Sequence, residues 1–468
     1  MITSLMPYPA MMESGVPWLG DVPTHWSVQK LRRLLRPTAE RNRSDLALLS
    51  VVREKGVIRR DIASKEGNRN FIPDDLSNYK VVAAGQFAIN KMKAWQGSYG
   101  VSPYDGIVSP AYFTFVVSGI SSRFFHSAIR SRAYVAFFAQ ASDGVRIGQW
   151  DLSPARMKEI PFFVPSRPEQ ALIVRFLDRA EREIALFIRA KQKLIKLLEE
   201  QKQTIIDRAV TRGLDPEARF RPSGMGWLGD VPDHWRVERN GRLFAQRNET
   251  GFAELPILEV SLRTGVQIRK FETSDRKQMM TDRDKYKRAV QGDIAYNMMR
   301  MWQGALGVAP VDGLVSPAYV VARPRPGVEP HYFSFLFRTP KYMAEVDKYS
   351  RGIVKDRNRL YWEDFKQMPS PCPPIEEQGQ IVDAIAKRTS SIDDGARRLL
   401  DEIELAREWR TRLIADVVTG KVDVREVAAA LPDEPADSEG SWGEIEAEEE
   451  AVESDGEEVD IDLVEIEA

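Results

Sequence analysis

The chain has 468 residues, 43% hydrophobic and 29% charged. That suits two to four packed domains of roughly 100–200 residues and excludes wholesale disorder. No apolar run reaches the roughly 18 residues of a membrane span, and the start, MITSLMPYPAMMESG, lacks the basic and apolar blocks of a secretory leader. The single cysteine, Cys372, excludes an internal disulfide framework and a multi-cysteine zinc site, so the expected compartment is the cytoplasm. The net charge of −2 hides an asymmetry: 18 of the 69 acidic residues fall in residues 426–468, which contain no Lys or Arg. Upstream, 67 basic residues face 51 acidic ones, a net of +16. A basic body suits an acidic partner, most simply nucleic acid; a solvated basic surface is the plain alternative.

In chain order, nearly every segment occurs twice. PWLGDVPTHW at residues 17–26 returns as GWLGDVPDHW at 226–235, an offset of 209. Residues 79–112 return at 286–319, offset 207, with 19 of 34 positions identical. FVPSRPEQALIV at 163–174 matches PCPPIEEQGQIV at 371–382, and IIDRAVTRGLD at 205–215 matches LIADVVTGKVD at 413–423, both at offset 208. Each unit opens with β-type runs and turns. Residues 46–53, 255–262, 107–117 and 314–321 read as strands, and 123–140 and 331–349 as helices. Asp-Gly turns punctuate them at Asp105-Gly106 and Asp312-Gly313. These are α+β domains.

A long helix closes each unit. Residues 169–211 lack Gly and Pro, and two stripes repeat every seven residues. One is Leu177, Ile184, Lys191, Leu198, Ile205; the other is Ile173, Ala180, Phe187, Leu194, Gln201. The second copy repeats the first stripe as Ile385, Ile392, Leu399, Ala406 and Leu413. This is the a/d rhythm of a coiled coil. The predicted organisation is a first globular domain over 1–165, a long helix over 166–213, a second domain over 214–373, a second long helix over 374–425, and an acidic tail over 426–468. The tail's composition predicts disorder.

Entry through WLGDVPxHW, an interior N-x-M-x-x-W-Q-G followed by D-G-x-V-S-P-A-Y, and a P-x-x-x-EQ segment opening each helix, all twice and in order, resemble the specificity subunit of type I restriction–modification systems. The resemblance covers residues 15–425. It implies two target-recognition domains, each reading one half of a bipartite double-stranded DNA site. The two helices would pack as an antiparallel coiled coil that sets the spacer and docks methyltransferase subunits, two of them. It further implies an ATP-dependent restriction subunit as partner, no membrane, and no catalysis by this chain. S-adenosylmethionine and ATP with magnesium would belong to the partners, with no cofactor or metal held here. The acidic tail is outside what the resemblance explains.

The residues support the same use. The repeated parts are those a shared scaffold needs, while the segments between differ and the offset drifts from 209 to 207 between Gly56/Gly265 and Tyr79/Tyr286. Different loops on one scaffold should read different half-sites. The candidate DNA-contacting residues are Arg59, Arg60, Lys65, Arg69 and Asn70 in the first domain, and Arg263, Arg269, Lys270, Arg276 and Lys277 in the second. A further cluster follows a repeated glycine: Arg146 and Gln149, and Lys355, Arg357, Asn358 and Arg359. Lys91, Lys93 and Arg300 flank the central motif. Arg and Lys neutralise phosphates, Arg pairs with guanine, and Asn and Gln suit adenine. The central motif itself (Asn90, Trp95, Gln96, Gly97; Asn297, Trp302, Gln303, Gly304) reads as scaffold, because aromatics held twice are more often core.

Catalytic signals fail one by one. GMGWLG at 224–229 fits G-x-G-x-x-G without the strand and helix that motif needs. No Asp-Pro-Pro-Tyr type element appears, and no carboxylate set completes a nuclease. His25 and His234 sit at equivalent positions beside tryptophan, which favours packing. The rivals are a methyltransferase or nuclease with unrecognised motifs, and a coiled-coil scaffold that never touches DNA.

Overall fold

The computed structural model describes residues 5–60, 73, 75–144, 150–262, 264–269, 283–352 and 358–432. They divide into two compact units, one formed by residues up to Lys191 together with those from Asp401 onward, the other by Gln192–Leu400. Each unit therefore holds one globular module, the first half of one long helix and the second half of the other. No described helix is long and apolar enough to cross a membrane.

The first module is built on a four-stranded antiparallel sheet. Its strands are β1 (Leu35–Thr38), β4 (Gln86–Asn90), β5 (Tyr99–Val101) and β7 (Tyr112–Val117), in the order β1-β7-β4-β5. A hairpin of β2 (Leu49–Val52) and β3 (Gly56–Arg59) stands beside it, and β6 (Gly106–Val108) pairs with Lys80–Val82. Helices α1 (Ser122–Ile129) and α2 (Arg132–Gln140) cover one face. Phe87, Tyr99, Phe124, Phe125, Phe138 and Phe162 pack there with almost no exposure.

The second module repeats this plan. Strands β8 (Phe244–Arg247), β11 (Ile294–Asn297), β12 (Leu306–Val308) and β14 (Tyr319–Pro324) take the same order, β8-β14-β11-β12. The hairpin is β9 (Leu258–Ser261) with β10 (Gly265–Ile268), and β13 (Gly313–Val315) pairs with Lys287–Ala289. Its helices are α4 (Pro330–Phe337) and α5 (Pro340–Tyr349).

Three expectations change in detail. The runs read as single strands over 107–117 and 314–321 are two strands each, broken at Ser-Pro-Ala. Proline has no N–H to give a ladder, and the chain turns there instead. The helices expected over 123–140 and 331–349 are likewise two each; Ser131 and Thr339 sit at the N-caps of the second ones, and the Thr339 hydroxyl accepts from the Tyr342 amide. The acidic tail begins later than its composition suggests. Arg425–Ala429 forms a helix, α7, and Val424 and Ala428 are fully buried in the first module's core. The remainder of the tail lies outside the described residues.

The repeated Asp-Gly pairs are close approaches. A Cβ on Gly106 would lie 2.5 Å from Leu49 Cγ, and one on Gly313 would lie 2.5 Å from Leu258 Cγ. The preceding aspartates accept from the Ala84 amide at 2.8 Å and the Gln291 amide at 3.0 Å. So the hairpin can lie against β6 or β13 only where no side chain intervenes.

The long helices are α3 (Arg167–Arg212) and α6 (Ile375–Val418). Within the first unit Ile173, Phe176, Leu177 and Ala180 share a core with Leu413, Val417 and Val418, and Lys191 pairs with Glu402 at 2.7 Å. Within the second, Ile206 and Val210 pack with Ile381 and Ile385, and Lys202 pairs with Asp393. Rising numbers on one helix meet falling numbers on the other, so each unit contains an antiparallel pair. Leu177, Ile184, Ile385, Ile392, Leu399 and Leu413 are buried, and Leu198 and Ile205 half-buried. The stripe through Ile173 and Ala180 does not continue: Phe187 is 42% and Leu194 43% exposed, while Ile188 is buried. A straight helix drifts about 20° per heptad against a strict seven-residue repeat, which moves the seam by one position.

Candidate nucleic-acid interface

The twice-repeated motifs meet inside each module, and their meeting explains the repetition. The P-x-x-x-EQ segment runs into the first turn of each long helix. In the first unit the Glu169 carboxylate, 4% exposed, accepts from Tyr8 Oη (2.8 Å), Trp26 Nε1 (3.0 Å) and His25 Nε2 (3.0 Å). In the second, Glu377 accepts from Trp235 Nε1 (3.0 Å) and His234 Nε2 (2.7 Å). A carboxylate in a first turn also suits the helix dipole. Burial, reinforced by Glu169, holds the Tyr8 phenol above its usual range.

The adjacent glutamines are fixed as firmly. Gln170 accepts from the Ser121 amide (2.8 Å) and donates to the Pro165 carbonyl (2.9 Å). Gln378 accepts from the Glu329 amide (2.8 Å) and donates to Pro373 (2.8 Å). Ser121 and Glu329 are the N-cap residues of α1 and α4. Thus the Glu holds the module's entry segment and the Gln holds its helical layer. His25 and His234, beside the tryptophans, join the same glutamates in both modules.

The central motif is a strand end running into a turn. Asn90 and Asn297 close β4 and β11, and their side-chain oxygens accept from the Met92 amide (3.2 Å) and the Met299 amide (2.9 Å). A 3-10 turn follows, ended by Gly97 (φ 97°) and Gly304 (φ 90°), a left-handed conformation that glycine adopts without strain. Trp302 Nε1 donates to Met299 O at 3.0 Å, and Trp95 packs on Trp150 with ring centroids 5.1 Å apart. Lys80 and Lys287, repeated residues that the sequence reading passed over, donate to the carbonyls of Tyr112 and Tyr319 at the end of S-P-A-Y. Burial holds both ammonium groups below their usual value.

Candidate elements converge at one end of each sheet, three in the first module and two in the second. In the first module Asn90 pairs in register with Tyr112, and Asn90 Nδ2 donates to Tyr112 Oη (3.3 Å). The charge of Arg60 acts on the same phenol, opposing the rise caused by its burial. Leu152 N donates to Lys91 O (2.9 Å), and Lys91 pairs with Asp151 (3.1 Å), which brings the base of the second candidate loop to the central turn. The second module matches: Leu360 N donates to Met298 O (2.8 Å), and Asn297 pairs in register with Tyr319. The hairpin ends are held alike, Arg60 N on Leu48 O and Arg269 N on Ile257 O, both at 2.9 Å.

Of the other candidates, Arg59 lies over the Tyr104 ring at 4.6 Å, Lys93 is exposed, and Arg300 Nε donates to Gln303 (2.8 Å). Asn358 donates to Asp347 (3.2 Å), and Arg359 pairs through its backbone with Arg351. Lys65, Arg69, Asn70, Arg146, Gln149, Arg263, Lys270, Arg276, Lys277, Lys355 and Arg357 lie outside the described residues. In the first module Arg60 and Lys91 thus lie with the central turn at one end of the sheet.

This is an internally duplicated chain with two alike modules, each sharing both long helices and each carrying its own set of unmatched loop segments. It resembles the specificity subunits of type I restriction–modification systems. A Methanocaldococcus jannaschii protein that carries the name of a type I restriction enzyme specificity subunit is 20% identical over 449 residues, 87% of this chain and 96% of the relative. The fold matches that of a solved chain described in work on complex assembly and conformational transition of the type I R-M system. The TM-score is 0.59 at 15% identity, over 86% of this chain and 99% of the other. The HsdS subunit from Thermoanaerobacter tengcongensis aligns over 86% of this chain and 98% of its own, with a TM-score of 0.46 and 17% identity. No family model matches.

Proposed function

We infer that this chain is the DNA-specificity subunit of a type I restriction–modification system. Each module reads one half of a bipartite site, and the helices set the spacing and dock methyltransferase subunits. The carrying observation is that the Trp–Glu and Gln contacts joining module to helix recur in both copies while the loop segments differ between them. A coiled-coil scaffold would not need a repeated module that carries two different sets of loops. Large apolar side chains remain exposed on both helices of the first unit (Leu186 63%, Leu405 66%, Trp409 44%), which supports a protein partner on that face. The chain catalyses nothing itself. S-adenosylmethionine, and ATP with magnesium, bind to its methyltransferase and restriction partners, and the complex works in the cytoplasm on double-stranded DNA.

The test is expression with and without a cognate methyltransferase subunit, followed by mapping of methylated bases in the host genome. The expected result is one split motif that needs both genes. Methylation by this chain alone would make it an enzyme, and a motif independent of this chain would end the specificity reading.

A further inference from the structure

Two modules that read different half-sites share one feature of the ligand, its sugar–phosphate backbone. A surface cation kept in both copies therefore serves what the half-sites have in common, since phosphate contacts position a protein and base contacts specify the sequence. Comparing the two sheet ends isolates two such positions.

The first is Arg60 and Arg269, the residue leaving each hairpin, held by the same backbone bond in both modules. Its neighbours are not kept: Arg59 faces Ile268, and Asp61 faces Lys270. Arg269 is half-buried, and its Nε has no hydrogen-bond partner among the described residues. The second position is Lys93 and Arg300. Both take the same backbone conformation, φ −125° with ψ 13° and φ −125° with ψ 12°. The side chain changes from Lys to Arg while the charge stays, so charge rather than shape is what is kept. The residue two before it is Lys91 in one copy and Met298 in the other. In the first module the two positions are linked through the central motif: Lys93 N donates to Asn90 O (3.1 Å), Asn90 bonds Tyr112, and Arg60 acts on Tyr112.

We propose that Arg60 with Lys93, and Arg269 with Arg300, are sequence-blind phosphate clamps, one in each module. They seat each half-site in a fixed register while the unmatched loop residues read the bases. The proposal rests on the DNA-specificity reading above.

The test uses the full chain assembled with its methyltransferase subunits, and anisotropy titrations on a duplex carrying the mapped motif and on a scrambled duplex, across 50–200 mM salt. Lys93→Ala and Arg269→Ala should each weaken both duplexes by the same factor. Each should also lower the slope of log K against log salt by about 0.9 per charge removed, with the methylated motif unchanged. Lys93→Arg and Arg269→Lys should keep the wild-type slope, which separates lost charge from lost fold. A changed base at one half-site, an unchanged slope, or charge-preserving variants that fail like the alanine ones would each overturn the clamp. If the wild-type complex binds duplex without any salt dependence, the DNA reading falls first and takes the clamp with it.

Discussion

Replacing Glu169 by alanine should destabilise the first unit far more than the equivalent change at Glu377 destabilises the second. Glu169 is 4% exposed and accepts three hydrogen bonds; Glu377 is 23% exposed and accepts two, with no counterpart of Tyr8. Removing Glu169 strands the Trp26 N–H and Tyr8 O–H in a dry site. Each unpaired buried donor costs about 1–3 kcal/mol, so the variant should lose about 3–5 kcal/mol. Glu377→Ala strands one indole N–H beside a half-exposed histidine and should lose about 1–3 kcal/mol. Glu169→Gln keeps one acceptor oxygen and should fall between wild type and alanine. The assay is amide hydrogen exchange on the intact chain, read separately in β4, β7 and α1 and in β11, β14 and α4. Trp26→Phe combined with Glu169→Ala should cost less than the two single changes together, since both remove the same bond. A loss below 1 kcal/mol for Glu169→Ala, or equal losses in the two units, would refute the idea that this carboxylate holds the module to its helix.

Acid should weaken the first unit selectively. His126 is buried, its Nδ1 accepts from the Val101 amide at 3.1 Å, and burial, with Arg130 and Arg123 nearby, holds its pKa well below the ordinary value. The unfolded chain binds this proton first, so its contribution is complete above about pH 6.5 and falls as pH drops toward the folded pKa. His126→Asn keeps an acceptor that cannot titrate, and denaturation at pH 5 and 7.5 should show a flatter profile; an unchanged profile would exonerate the histidine. Gly313→Ala forces a Cβ to 2.5 Å from Leu258 and should cost about 1–3 kcal/mol, measured by urea denaturation. Exchanging residues 53–79 for those of a related chain should alter one half-site and spare the other in methylation maps. Ending the chain after Pro432 should leave the motif unchanged and increase binding to scrambled duplex, because 17 of the body's opposing acidic charges leave with the segment.

The repeat made most of the fold legible, since any element with a partner 207–209 residues away had to be structural or shared in function. The α+β class and both long helices followed from it. What stayed hidden was long-range pairing. Trp26 meets Glu169 across 143 residues and Trp235 meets Glu377 across 142, and neither hydropathy nor propensity encodes such a contact. The signal was there as a near-constant separation between two motifs repeated in step. Lys80 and Lys287 were overlooked for another reason. A lysine in a β-type run reads as a solvent-facing edge, whereas here its ammonium caps a carbonyl of the S-P-A-Y turn. The second heptad stripe misled because seven-residue spacing alone does not say whether a helix supercoils enough to keep that stripe inside.

The junction of each tryptophan with its first-turn glutamate also explains how two modules can diverge in their loops without losing assembly. In each unit the D-V-P-x-H-W segment grips two helix ends at once. Trp26 bonds Glu169 at the start of α3, while a Cβ on Gly420, just past the end of α6, would lie 2.3 Å from Pro23 and 3.2 Å from Trp26. Trp235 bonds Glu377 at the start of α6, while a Cβ on Gly213, just past the end of α3, would lie 3.2 Å from Trp235 and from Glu377. Both glycines have positive φ, so only glycine fits both the turn and the space. Every group in this junction is therefore constrained by several partners, and a change at any one leaves a buried donor or a clash. The segments that follow Arg60 and Arg269 already differ in length between the copies. None of the junction contacts named above involves them, whereas the junction itself can change only if several residues change together.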